Sequence, residues 1–255
     1  MSDPLPDQIE IKFAFAIDSD TDRALQAIKG SGKQDPPEER TIYFFDTAGV
    51  SLTRGGLITR VRITVSGGDP NDSTLKIRGG NAPAIALKFP PGPDDGSNEE
   101  VTKYEGDQNA SAPKAGDNQA PATTDSPAFS VTKKLPDKGL IDEALKNPAK
   151  LSALFGPTAE SLFTSNGVVL GDLKAFGPIH ATIWKFKPPG FDKKLTAELW
   201  EAGDKTLLEI SDKKPRAQAA QFSAELFEFM SEKIQVTPLN TSKTLFAMQQ
   251  FRPST

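Results

Sequence analysis

Five segments of this chain alternate polar and apolar residues and keep their charges on one side, which restricts the available folds more than any other feature. In Gln8-Ile9-Glu10-Ile11-Lys12-Phe13 a period of two sets Gln8, Glu10 and Lys12 on one face of a strand and Ile9, Ile11 and Phe13 on the other. The arrangement recurs in Arg60-Val61-Arg62-Ile63, Thr74-Leu75-Lys76-Ile77-Arg78, Trp184-Lys185-Phe186-Lys187 and Leu208-Glu209-Ile210-Ser211. Strands that each carry one ionic face can stack as ordinary sheets with the charges in solvent. They can also close with the charges inward.

Between these segments the sequence reads as a meander followed by a helical middle and a second group of strands. Thr41–Asp46, Leu57–Val65 and Thr74–Arg78 are strand candidates, with turn chemistry from Gly67 to Asp72. Glu100–Asp107 and Phe129–Leu135 form a further pair. The segment 108–127 between them is built almost wholly of Ala, Pro, Asn, Asp, Gly, Ser and Thr, and is expected to be a disordered insertion in a single domain spanning 1–255. Phe89–Asn98, rich in Pro and Gly, reads as a second mobile excursion. Gly167–Leu170, His180–Phe186, Thr196–Trp200 and Thr206–Ile210 are the later strand candidates. Helices are expected over Asp18–Gly30, in short pieces over Asp142–Phe155 broken at Pro148, and over Ala217–Ile234. In the last of these Phe222, Leu226, Phe229 and Met230 share a face.

Composition narrows the chemistry. Thirty Lys and Arg against 34 Asp and Glu give a net charge of −4, which argues against a surface built to hold nucleic acid, so any basic site must be local. Without cysteine there is no disulfide framework and no thiolate zinc site. The start Met1-Ser2-Asp3-Pro4 has no basic region followed by an apolar run, and no window approaches the roughly 20 apolar residues that cross a bilayer. A cytoplasmic protein with no membrane partner is the expectation. The single histidine, His180, leaves little support for histidine metal clusters or Ser-His and Cys-His catalysis. Gly30-Ser31-Gly32-Lys33 lacks the chemistry of a phosphate loop, because Ala27 stands at the first glycine and Gln34 at the magnesium-binding hydroxyl; it reads as a helix stop. Trp184 and Trp200 read as packing residues.

In order and spacing these motifs resemble the CYTH superfamily of triphosphate tunnel enzymes, which takes in inorganic, thiamine and RNA triphosphatases and class IV adenylyl cyclases. Gln8-Ile9-Glu10-Ile11-Lys12 is similar to the family's opening E-x-E-x-K strand. Tyr43-Phe44-Phe45-Asp46-Thr47 with Leu52 resembles Y-x-D-T and its trailing leucine, and Leu57-Ile58-Thr59-Arg60-Val61-Arg62 resembles L-x-x-R-x-R. Ser73–Arg78 looks like the next lysine-bearing strand and Lys103–Asp107 like the acidic strand after it. Leu199–Gly203 resembles an acidic residue before a turn glycine, Glu209-Ile210-Ser211 a second E-x-E, and Ser242-Lys243 a terminal Ser-Lys.

The resemblance implies an α+β protein: an antiparallel, eight-stranded, tunnel-like β-barrel with helices packed outside and a polar lumen. It implies a small-molecule triphosphate or polyphosphate as partner and metal-dependent hydrolysis as activity. Adenylyl cyclisation, or binding without turnover, are the alternatives. Arg60, Arg62, Lys76, Arg78, Lys185 and Lys187 would hold phosphates, since Lys and Arg neutralise phosphate oxygens and Arg grips two at once. Glu10, Lys12 and Glu209 would be catalytic, and Glu10, Glu201 and Glu209 would hold Mg²⁺ or Mn²⁺. Two departures bear on the metal. Gln8 and Ser211 stand where the family has glutamates, each removing a negative charge, and restoring both glutamates is expected to raise metal affinity.

Overall fold

The computed structural model describes residues 7–17, 21–30, 32–92, 100–110, 123–231, 239 and 241–251. Its centre is a closed barrel of β1 (Gln8–Ile17), β2 (Glu38–Asp46), β3 (Leu57–Ser66), β4 (Asn71–Arg78), β5 (Glu100–Ala110), β6 (Thr123–Leu135), β7 (Lys174–Phe186), β8 (Leu195–Ala202) and β9 (Lys205–Pro215). Around the wall the order is β1-β5-β6-β4-β3-β2-β7-β8-β9, and β9 returns to β1. The expected eight antiparallel strands are thus nine, in a mixed barrel. Parity requires the mixture, because a ring with an odd number of strands cannot reverse direction at every step. The parallel pair is β1 and β5, in register from Ile9↔Gly106 to Lys12↔Asn109. Gly106 suits this seam, since a Cβ there would stand 3.0 Å from the Ile9 side chain.

The strand candidates all lie in strands except Gly167–Leu170. There Gly167 takes φ +67°, a left-handed conformation that stops a strand, and a 3-10 turn follows at Leu170–Asp172. β5 and β6 also run further than expected, pairing Gln108↔Asp125 through Ala110↔Thr123. Residues 111–122 of the expected insertion, and 93–99 around the end of the Phe89–Asn98 excursion, lie outside the described residues.

The helices are α1 (Thr21–Gly30), α2 (Ser51–Arg54), α3 (Ala82–Lys88), α4 (Lys138–Lys146), α5 (Pro157–Ser165), α6 (Ala219–Phe229) and α7 (Lys243–Gln249), with a 3-10 segment at Pro148–Leu154. They cover the apolar outer faces of the strands. Ile9, Ile11, Phe13 and Phe15 of β1 pack with Phe222, Leu226 and Phe229 of α6. Val61, Leu75, Phe129 and Val131 pack with Ile141, Leu151, Leu154 and Phe163 from α4, the 3-10 segment and α5. Each fully buried phenylalanine, such as Phe13 or Phe15, contributes about 1.5–3 kcal/mol relative to exposure. A third cluster closes one end of the barrel, where Phe44, Ile58 and Trp200 meet Ala247 and Met248 of α7.

Two carboxylates, buried Asp46 and half-buried Glu100, act as remote caps. Asp46 accepts from the backbone nitrogens of Thr47, Leu52 and Thr53 at 2.6, 2.9 and 2.8 Å, fixing the turn into α2. Glu100 accepts from Gly156, Thr158 and Ala159 at 3.1, 2.7 and 3.1 Å, capping α5 from a strand fifty-six residues earlier. No helix among the described residues is long and apolar enough to cross a membrane.

Candidate functional site

With the apolar faces turned out to the helices, the period of two turns every charged face inward. The result is a cavity of 640 Å³ along the barrel interior, lined by side chains from all nine strands and from the start of α7. Ten of the lining residues are Lys or Arg and seven are Asp or Glu, so the lumen is net positive in a chain that is net negative. The cations are concentrated on the β3–β4 side, where Arg60, Arg62, Lys76 and Arg78 stand on adjacent antiparallel strands.

Behind this wall lies Asp107, fully buried on β5. Lys12 Nζ is 3.3 Å from its Oδ1, and Lys76 Nζ and Arg78 Nε are 2.8 and 2.9 Å from its Oδ2. Burial alone would raise the Asp107 pKa; the three cations hold it well below the usual carboxylate range. Lys12 also bonds Glu10 at 3.1 Å. Burial opposes its charge, but Glu10 and Asp107 outweigh that and push its pKa up, while Lys12 in turn draws the Glu10 pKa down.

Two cations are left short of compensation. Lys76 is pushed down to about 8, by burial first and by the charge of Lys12 second, because three cations share one carboxylate. Arg60 is pushed down to about 10 by burial and by neighbouring Arg62. Arg60 makes no ion pair among the described residues. Its Nε is buried without a partner, and its Nη2 reaches only Thr74 Oγ1, at 3.4 Å. Arg62, by contrast, is held by Asp72, with Nη2 2.7 Å from Oδ2. A buried guanidinium with an idle donor is a place where an anion is stabilised.

The opposite wall, β8 and β9, is organised the other way. Glu198 and Glu209 are direct cross-strand partners facing the lumen. Lys243, the first residue of α7, lies between them, its Nζ 2.6 Å from Glu198 Oε2 and 2.9 Å from Glu209 Oε1. Its ammonium also sits 4.1 Å from the centre of the Trp200 ring. Trp200 Nε1 donates to the remaining Glu198 oxygen at 2.7 Å. Burial would raise the Glu198 pKa, but Lys243 and these hydrogen bonds bring it well below its ordinary value.

Of the residues expected in the site, Glu10, Lys12, Arg60, Arg62, Lys76, Arg78, Lys185 and Glu209 line one cavity. Three stand apart. Glu201 is exposed on the outer face of β8, because Leu195, Ala197 and Leu199 turn outward in register with it and leave Thr196, Glu198 and Trp200 inside. Lys187 is exposed past the end of β7, where the chain leaves the wall. Gln8 is exposed at the rim opposite Pro215 and does not line the cavity, whereas Ser211 does, opposite Lys12. Restoring a glutamate at Gln8 would therefore place it at the rim. Glu198 is the acid the sequence reading missed, and the phase of the apolar residues in β8 was the signal that could have found it. Asp107 and Lys243 stood within quoted motifs without a role.

The carboxylates fit a resident divalent ion poorly. Glu10 is engaged by Lys12, Glu198 and Glu209 share Lys243, and no group of three or more metal-ligating side chains occurs among the described residues.

No family model matches the sequence, and no curated protein matches it. Solved structures do. A Hippeastrum protein described as an adenylyl cyclase candidate with a dominant triphosphatase activity is 16% identical, with a TM-score of 0.57 over 94% of this chain and 94% of that one. An adenylate cyclase candidate from Bacillus halodurans is 13% identical, with a TM-score of 0.50 over 94% of this chain and 97% of that one. The chain shares the barrel fold of these structures, which agrees with the fold expected from the resemblance to the CYTH superfamily.

Proposed function

We propose that the tunnel takes in the phosphate chain of inorganic triphosphate or a small organic triphosphate and splits its terminal phosphoanhydride bond. The observation that carries this reading is the convergence of Lys12, Arg60, Arg62, Lys76 and Arg78 on one lumen with the charges of Arg60 and Lys76 under-compensated. Phosphoryl transfer asks a protein mainly for positioning and for stabilisation of charge on phosphate oxygens, which a fixed array of cations supplies. Arg60, Arg62 and, from the next strand, Arg78 provide forked donors, Lys76 a point charge, and Lys12 a fully charged ammonium at every physiological pH. Water attacks the terminal phosphorus in line with the departing oxygen, and the wall holds the charge that develops on the leaving group. Where Mg²⁺ or Mn²⁺ is needed, it enters as part of the substrate, a metal triphosphate salt, because the chain's own carboxylates are already paired.

A second reading has its own support: binding of a phosphate chain without turnover. It is favoured by the pairing of Glu198 and Glu209 with an ammonium and by Ser211 in the lumen where a further carboxylate would be expected. Phosphate release from tripolyphosphate, thiamine triphosphate and nucleoside triphosphates, with Mg²⁺, with Mn²⁺ and in EDTA, tests the hydrolytic reading. Cyclic AMP with pyrophosphate from ATP would replace hydrolysis by cyclisation. A flat panel accompanied by a tripolyphosphate-dependent rise in melting temperature leaves the binder, and a flat panel without that rise removes both.

A further inference from the structure

Two carboxylates directly opposite one another on neighbouring strands repel, and a buried pair of this kind ordinarily takes up a proton or a divalent ion. At Glu198 and Glu209 a cation of the chain itself takes that place. The ammonium of Lys243 stands between them, 2.6 and 2.9 Å from one oxygen of each, and the Glu198 pKa moves down, not up. The lysine is held there from three sides. Its side chain is 8% exposed, its charge faces the Trp200 ring at 4.1 Å, and it begins α7, whose first turn is fixed by Ser242 Oγ accepting from Leu245 N at 3.2 Å. Ala247 and Met248 of α7, fully buried against the barrel end, anchor the helix that delivers it. A cation in the first helical turn works against the helix dipole, so the carboxylates, not the helix, account for its position.

We propose that Lys243 is a tethered substitute for a divalent ion. It neutralises the Glu198–Glu209 pair so that the tunnel holds its anionic ligand with no resident metal, and removing the ammonium uncovers a divalent-cation site at that pair. Ser242, Lys243 and Thr244 line the same cavity as the pair. The ligands uncovered are hard oxygen donors, and the class of metal they suit is Mg²⁺, Mn²⁺ or Ca²⁺.

The test is a Mn²⁺ titration of the full chain followed by electron paramagnetic resonance, in buffer free of phosphate compounds, so it stands or falls apart from the triphosphate reading. The wild type should show no saturable Mn²⁺ site, and Lys243→Met should gain one, a tightening on the order of tenfold or more. Lys243→Met combined with Glu198→Gln should lose it again. Because Lys243→Met leaves two facing buried carboxylates, its melting temperature should fall without metal and recover with excess Mn²⁺. A wild-type chain that binds Mn²⁺ as tightly as the variant overturns the proposal. So does a variant that folds and gains no site, or one that stays unfolded in excess Mn²⁺.

Discussion

The two walls of the tunnel solve the same problem, buried charge, in opposite ways. On β8 and β9 each carboxylate finds a cation within the chain: Glu198 and Glu209 share Lys243, and Trp200 satisfies the last Glu198 oxygen. On β3 and β4 the accounts stay open. Asp107 serves three cations at once, Lys76 is pushed down to about 8, and Arg60 keeps a buried Nε with no partner. A wall whose charges are matched internally is a structural element. A wall left with unmet positive charge is complementary to an anion the chain does not itself supply.

The sharpest way to break this contrast is to remove the shared anion. Asp107→Asn leaves Lys76 and Arg78 without a counter-ion beside Lys12, which keeps only Glu10, and chemical denaturation should register a loss of about 3–5 kcal/mol. Tripolyphosphate should restore part of that loss. Glu198→Gln, which leaves Lys243 its bond to Glu209, should cost less and gain nothing from tripolyphosphate beyond what the wild type gains. Equal losses for the two variants would erase the distinction between the walls.

Affinity is the next discriminator. Arg60→Ala removes a guanidinium whose partner is the ligand, and a hydrogen bond to a charged group is worth about 1.5–3 kcal/mol, or roughly 10- to 100-fold in the dissociation constant of tripolyphosphate. Calorimetry in EDTA should show that loss for Arg60→Ala and no weakening for Glu198→Gln.

A smaller effect follows from Lys76. Its folded-state pKa of about 8 lies below its ordinary 10.5, so between those values the unfolded chain binds more protons and this group's contribution to stability rises with pH. Ligand binding runs the other way, since an anion needs the ammonium. Tripolyphosphate affinity should fall as pH rises through about 8 while the ligand-free melting temperature gains from this group. A Lys76→Met variant should lose that step in affinity. The smallest effect belongs to Lys185, exposed at the lumen edge with no ion pair among the described residues. Lys185→Ala should weaken binding only a few-fold, roughly 1 kcal/mol or less, and the difference should vanish at high salt.

Strand identity was legible because alternation is a local property: Ile9, Ile11 and Phe13 must share a face whatever surrounds them. The inward direction of the charged faces was not local. It depends on helices such as α6 and α4 covering the outside, and only the resemblance supplied it. The same resemblance supplied eight strands, whereas the residues themselves marked ten candidates, of which nine are strands and Gly167–Leu170 is not. Glu201 was chosen for its place before a turn glycine, but facing is set by the phase of Leu195, Ala197 and Leu199, which puts Glu198 inside. Asp107 and Lys243 act through partners far away in the chain, on β1, β4, β8 and β9. No spacing rule within their own segments reveals those partners.

The most direct measurement is a crystal structure of the chain with a non-hydrolysable triphosphate. The account predicts phosphate oxygens inside the barrel, within hydrogen-bond distance of Arg60 and Lys76, with Lys243 still between Glu198 and Glu209. A ligand bound on the outer surface, or a lumen in which Arg60 Nε stays unpartnered at saturating triphosphate, would contradict it.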